Sequence, residues 1–370
     1  MPSAGCIEVT LQAARLNGHL PPRKYPQDTF LGLDILGLNM LIKSGNLLKE
    51  HRLLAELARH FTDYGRAFQS NNLGRTRINS IEPENMHTVF STRNPEWDVQ
   101  PVRRVAQEPF CGRDFITTDG DEWTHAKSLL KPGFQRSYIA KLTPLEEHFQ
   151  VMLSRIPRDR STVDLLPLFA DLVGSGIDLY SHHFCPGPLK FLYRDPGSYE
   201  ACQKVRQFVD YYVDRALEYR RQYLEGVGSK ASKLSNRTLL QSMAEQTGDR
   251  EDLRWQILQA HMAAQETTGN LLANVFFLLS HHPRVWQKLQ EETLRVYPIL
   301  PNINRTALKS TSLPSGSGPD GKSSIYISKG TIFSTSSYAL HRDTAIWKGA
   351  DAAEFVPERW DNSFQPDPGA

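Results

Sequence analysis

The sequence lacks any apolar stretch long enough to span a bilayer. Its opening, MPSAGCIEVTLQAARLNGHLPP, has no apolar secretory core. As written, the chain is expected to be soluble or peripheral. Charge of one sign is also missing. The 43 basic residues meet 41 acidic ones for a net charge of +2, and no basic run suits nucleic acid. Cysteine is scarce. Cys6, Cys111, Cys185 and Cys202 match neither a zinc site nor a disulfide framework, so a reducing compartment is expected. H-E-x-x-H spacing and a G-x-S-x-G elbow are both absent. The histidine pairs 182–183 and 281–282 are adjacent and cannot share one helical face. No metal site is expected from them.

What is present is enough for a large core: 39% of the 370 residues are hydrophobic. The expected organisation is one domain over residues 1–370, mainly α with a small β component. Pro21, Pro22 and Pro26 argue against helix near the start. Apolar residues recur at helical spacing from Leu38 to Tyr64, including Leu53, Leu54, Leu57 and Phe61. Residues 75–120 mix short strand-like and helical pieces. A helix is expected from Asp121 until Pro132-Gly133. Others are expected over Pro144–Leu153, Leu165–Leu179 and Ser198–Tyr223. A polar connection, GVGSKASKLSNRT, follows. The longest helical signal runs from Asp252 to Ser280, and another from Arg284 to Val296. Ser323–Ser328 and Thr331–Ser337 read as two short strands with Lys329-Gly330 at the turn.

Gly316-Ser317-Gly318-Pro319-Asp320-Gly321 satisfies G-x-G-x-x-G in letters only. A dinucleotide site needs a strand before the motif and a helix after it, and here a strand follows. A surface loop is the expected reading.

Three sites carry more weight. The first is Ala263-Ala264-Gln265-Glu266-Thr267-Thr268-Gly269, a polar cluster inside the long apolar helix. Such a cluster is costly if buried without partners. Threonine there can bond back to a carbonyl one turn earlier. Ala263 and Ala264 would admit a flat ligand close to the backbone. Alone, the segment reads as a solvated stripe. The second is Glu292-Thr293-Leu294-Arg295, whose ends share a helical face. Alone, it reads as a surface ion pair worth ~0.3 kcal/mol. The third is Pro357-Glu358-Arg359-Trp360. Arg359 is either a loop residue or a buried fork completing a network with Glu292 and Arg295.

In this order the three sites resemble the cytochrome P450 superfamily of heme-thiolate monooxygenases. Its members carry an acid–threonine pair in the central helix, then E-x-x-R, then P-E-R-F or P-E-R-W. An earlier family mark is similar to Trp123-Thr124-His125-Ala126-Lys127 with LLKPGF after it, and FFLLSHHPRVWQKLQEETLRVYP, ISKGT and SYALHRD also read as the family does. The likeness covers about Pro21 to Trp360. It implies the fold of that family and heme as cofactor. It also implies molecular oxygen, an apolar small-molecule substrate, and NADPH acting through a reductase partner. By the same resemblance Glu266 and Thr267 deliver protons, with Ala263 and Ala264 beside the heme. Trp123, Lys127 and Arg305 hold the propionates. Glu292, Arg295 and Arg359 form the structural network.

The sequence departs from the family pattern in places. Ala264 stands where glycine is usual, and Lys127 where arginine is usual. The F-x-x-G-x-R-x-C-x-G loop, which carries the axial cysteine, is not in these residues. None of the four cysteines lies after Arg295. The chain is therefore expected to be C-terminally truncated, with no metal ligand of its own and little stable heme binding. The family implies the endoplasmic reticulum membrane and an anchor ahead of Met1. Residues 21–34 (PPRKYPQDTFLGLD) and 313–324 (LPSGSGPDGKSS) resemble the fungal alkane and fatty-acid hydroxylase branch. The implied reaction is hydroxylation of a long aliphatic chain. The alternative is a catalytically dead, non-heme helical protein acting as a binding module or pseudo-enzyme.

Overall fold

The computed structural model describes residues 18–25, 38–72, 75–100, 102–134, 143–159, 161–174, 196–225, 238–281, 289–347 and 352–360. The chain divides into two compact units. One comprises Met1–Val99 with Phe277–Ala370, and the other Gln100–Phe276. The fold is mainly α with a small β component.

The first unit holds all the described strands. Their bounds are β1 Arg23–Lys24, β2 Ala67–Asn72, β3 Arg75–Ser80, β4 Trp97–Asp98, β5 Asn302–Ala307, β6 Thr311–Ser317, β7 Ser323–Ile327 and β8 Ile332–Ser336. Six form one sheet in the order β1-β2-β3-β8-β5-β4, and β6 pairs with β7. β8 lies centrally, parallel to β3 and antiparallel to β5. All five of its residues are buried, as a strand covered on both faces requires. Phe333 from β8 packs with Ile78, Trp97, Leu313, Ile325 and Ile327 into this unit's main core.

The strands over 323–336 differ from the expected pair. Lys329-Gly330 does turn, with Gly330 at φ 84°. The strands then part, β7 to the two-stranded sheet and β8 to the six-stranded one. Ile332 and Phe333 point to opposite faces of a strand that has no solvated side, a demand that local spacing does not express. The run from Leu38 to Tyr64 is two helices, α1 (Leu38–Lys49) and α2 (Leu53–Tyr64). His51 adopts the left-handed region at φ 56° between them, which interrupts the helical hydrogen-bond ladder. α3 (Pro83–His87) follows β3.

The second unit contains α4 (Val102–Cys111), α5 (Gly120–Leu130), α6 (Thr143–Ser154), α7 (Leu165–Gly174), α8 (Pro196–Leu224) and α9 (Leu239–Gln246). It also contains α10 (Arg250–His281) through Phe276. Val205, Val209, Val213 and Ala216 form an apolar stripe on α8. They cluster with Leu129 and Leu130 of α5, Leu240 and Met243 of α9, and Leu253 and Leu258 of α10. The polar link before α9 ends in a capping box. The Thr238 hydroxyl accepts from the Gln241 amide, and the Gln241 side chain accepts from the Thr238 amide. Arg250 pairs with Asp214, and Arg254 with Asp210, which sets α8 antiparallel to α10. Two further helices belong to the first unit: α11 (Leu289–Val296) and α12 (Ser337–Leu340).

The sequence expectations for residues 175–179, 226–237 and 284–288, and for His182, His183 and His282, lie outside the described residues.

Candidate functional site

In the first unit, α11 puts Glu292 and Arg295 one turn apart on a face with no access to solvent. Glu292 is 0% exposed and Arg295 2%. Arg295 Nε donates to Glu292 Oε2 at 2.8 Å and Nη2 to Oε1 at 2.6 Å, a two-pronged pair. The carboxylate also accepts from the Val356 amide at 2.8 Å and the Trp360 indole at 3.0 Å. The arginine donates to the carbonyls of His341 (2.6 Å), Ala352 (2.5 Å) and Glu354 (2.6 Å). Arg359 brings its Nε to 3.7 Å from Glu292 Oε1, close enough for ion pairing but beyond hydrogen-bond reach.

The structure therefore brings Glu292, Arg295 and Arg359 together and buries them. A surface ion pair, the reading of Glu292 and Arg295 taken alone, is corrected. The reason is tertiary: residues 341–347 and 352–360 close over α11 and supply the groups that satisfy both charges. Two ions taken from water cost several kcal/mol each unless such partners exist. Trp347 adds its ring face 5.1 Å from the Arg295 guanidinium. Burial holds the His341 imidazole below its ordinary range, and its Nδ1 faces the Arg295 carbonyl at 3.1 Å. Sequence reasoning missed Trp347 and His341. The signal for His341 was SYALHRD, whose partner Arg295 lies 46 residues upstream.

Arg305 lies on β5, also in the first unit. Its guanidinium sits 4.9 Å from the Phe90 ring centroid, and Nη1 donates to the Asn304 carbonyl at 2.9 Å.

In the second unit, α5 presents Trp123 and Lys127 on one exposed face, with Lys127 Nζ 4.5 Å over the indole. Ala263 and Ala264 are exposed on α10. The Thr267 hydroxyl donates to the Ala263 carbonyl at 2.7 Å, the back-bond that its position suggested. Glu266 is on the same turn, and its side chain lies outside the description. Gln259, one turn before Ala263, is a functional candidate that sequence reasoning passed over. Its signal was a lone amide beside Ile257 and Leu258.

An ammonium beside an indole on α5 is by itself a donor pair of the kind that carboxylates accept from, and so, in the other unit, is the Arg305 guanidinium. Cys111 does not fit an iron ligand. It is buried, its thiol donates to the Gln107 carbonyl, and burial pushes the thiol pKa up to about 12. It holds no thiolate near neutrality. Cys202 is half-buried on α8, and Cys6 and Cys185 lie outside the described residues. Gly316 and Ser317 are buried inside β6, so the motif is a surface loop only from Gly318 to Gly321; a strand follows and no helix end meets a phosphate there.

The family model for cytochrome P450 matches residues 183–293 and 291–367. The cytochrome P450 monooxygenase fsdH of Fusarium heterosporum is 31% identical, over 95% of this chain and 72% of its own length. The cytochrome P450 monooxygenase himC of Aspergillus japonicus is 30% identical, over 93% and 71%. Cytochrome P450 52A10 of Candida maltosa is 31% identical, over 81% and 70%. The chain belongs to the cytochrome P450 family. It is by that membership a monooxygenase, and the family implies heme, molecular oxygen, a substrate and a redox partner. Among the described residues no helix is long and apolar enough to cross a membrane.

Proposed function

We propose that this monooxygenase hydroxylates a long-chain aliphatic substrate, an alkane or a fatty acid, with NADPH electrons arriving through a reductase. The enzymatic reading is carried by one observation: the fully buried Glu292, with Arg295 and Arg359 around it. The substrate class rests on the likeness of residues 21–34 and 313–324 to the alkane and fatty-acid hydroxylase branch.

Trp123, Lys127 and Arg305 are the residues that would hold the heme propionates. Ala263 and Ala264 leave room for a flat ring against α10. Bound heme supplies oxygen activation and electron transfer. The Glu266 carboxyl and Thr267 hydroxyl act as proton donors during turnover. Glu292, Arg295 and Arg359 keep α11 and residues 352–360 in one arrangement. The working location is the endoplasmic reticulum membrane.

The test uses protein translated from the complete transcript. Its reduced, CO-bound form is expected to show the absorption band of thiolate-ligated heme. With reductase and NADPH it should convert a long-chain alkane or fatty acid to an alcohol. Absence of the band ends the enzymatic reading. A normal band with neither substrate oxidised ends the aliphatic one.

A further inference from the structure

We propose that Gln259 is a positioning residue for the monooxygenase reaction. It fastens the 111–118 loop to α10 and so sets where α5 presents Trp123 and Lys127. The inference rests on the proposed role of those two side chains toward heme.

Gln259 is 0% exposed. Its Oε1 accepts from the Ile116 amide at 2.8 Å. Its Nε2 donates to the Cys111 carbonyl at 2.8 Å and lies 3.3 Å from the Thr117 hydroxyl oxygen. One side chain thus satisfies a backbone donor and a backbone acceptor of the same loop. A glutamine amide carries its acceptor and its donors on separate arms of one plane; a carboxylate has no donor, and leucine has neither group.

The loop is tied within itself as well. The Thr117 hydroxyl donates to the Gly112 carbonyl at 2.7 Å, and the Asp114 amide donates back to that hydroxyl at 2.9 Å. The Thr118 hydroxyl donates to the Asp114 carbonyl at 2.9 Å. Gly112, at φ +67°, lets the Trp255 ring of α10 approach where a Cβ would stand 2.2 Å away. A loop braced this way moves as a piece, and α5 begins at Gly120, four residues past Ile116. Displacement of Ile116 therefore shifts the start of α5. On α10, Gln259 lies one turn before Ala263, whose carbonyl accepts from Thr267. The anchor and the proposed proton-donor turn share one rigid helix. Misplacing a binding group by ~1 Å can cost roughly 100-fold in rate, so such a brace is worth having.

The test again uses the full-length protein. Gln259→Leu is compared with Val89→Ala, a fully buried truncation in the other unit's core, which α5 does not share. In Gln259→Leu, the Ile116 amide and the α5 amides from Ala126 to Leu130 are expected to exchange hydrogen at least ~10-fold faster. Hemin titration is expected to give at least ~10-fold weaker binding. In Val89→Ala, at equal or greater loss of stability, both should stay within about twofold. Gln259→Met keeps the length of the side chain and loses both hydrogen bonds. It should show the same pattern, and it carries the test if the leucine variant does not fold. Unchanged α5 exchange, or equal effects in Val89→Ala, overturns the proposal. If the unsubstituted protein takes up no hemin, the heme role of Trp123 and Lys127 fails, while exchange still decides whether Gln259 holds α5.

Discussion

Replacing Glu292 by glutamine keeps the shape of the side chain and removes its charge. Glutamine can still accept from the Val356 amide. Its NH2 group, however, must face the Arg295 Nε and Trp360 Nε1 donors that the second carboxylate oxygen now serves. Arg295 stays buried without a counter-charge. Stripping one partner from a buried pair typically costs ~3–5 kcal/mol. The His341, Ala352 and Glu354 carbonyls continue to hold the guanidinium, so the lower end, about 3 kcal/mol, is expected. Urea unfolding followed by near-UV circular dichroism would register this as a midpoint lower by ~1–3 M at unchanged slope. The control is Glu56→Gln, which breaks the Glu56–Arg59 pair on α2, where Arg59 is exposed. It should cost less than ~1 kcal/mol. The double variant Glu292→Leu/Arg295→Met should lose less than the sum of its single substitutions, by ~1–3 kcal/mol. A Glu292→Gln loss no larger than the control's would refute the reasoning, because the pair would then behave as a solvated one.

Two further outcomes follow from the second unit. Gly112→Ala should lower stability by more than ~2 kcal/mol in thermal or urea unfolding, since it combines positive φ with a Cβ inside the Trp255 ring; a neutral result would mean the loop is not seated on Trp255. Asp114 is buried, and burial lifts its carboxyl from 3.8 to about 8, so the native protein holds a proton that the unfolded chain releases. The stability this group contributes is full below about pH 4 and is lost as pH rises through about 8. Asp114→Asn, which cannot ionise, should therefore gain on the parent protein between about pH 5 and 8, on the order of several kcal/mol at the alkaline end. Parallel stability–pH curves for the two proteins would refute that.

Much of the helical content was legible in the sequence. α6, α8 and α10 lie within about two residues of the apolar periodicity that announces them, at Thr143–Ser154, Pro196–Leu224 and Arg250–His281. Periodicity is a local property, and a long amphipathic stripe states its own partner face. The ordered motifs over 263–269, 292–295 and 357–360 likewise pointed to the family before any geometry. β2, β5 and β6 went unseen, because their Ser, Asn, Thr and Gly content resembles loop sequence until a neighbouring strand supplies the ladder.

The sequence by itself determined the helix pattern, the near balance of charge and the residue types at each motif, because these are set by neighbours a few positions apart. Whether an acid–arginine pair is a solvated ornament or a sealed knot depends on what covers it. For Glu292 and Arg295 the cover comes from residues 341–347 and 352–360, and only tertiary structure brings those carbonyls, that amide and that indole to the same few ångströms. The same holds for Gln259. An amide inside an apolar helix is a cost when read along the chain. It becomes a brace once a loop some 140 residues earlier places one donor and one acceptor against it.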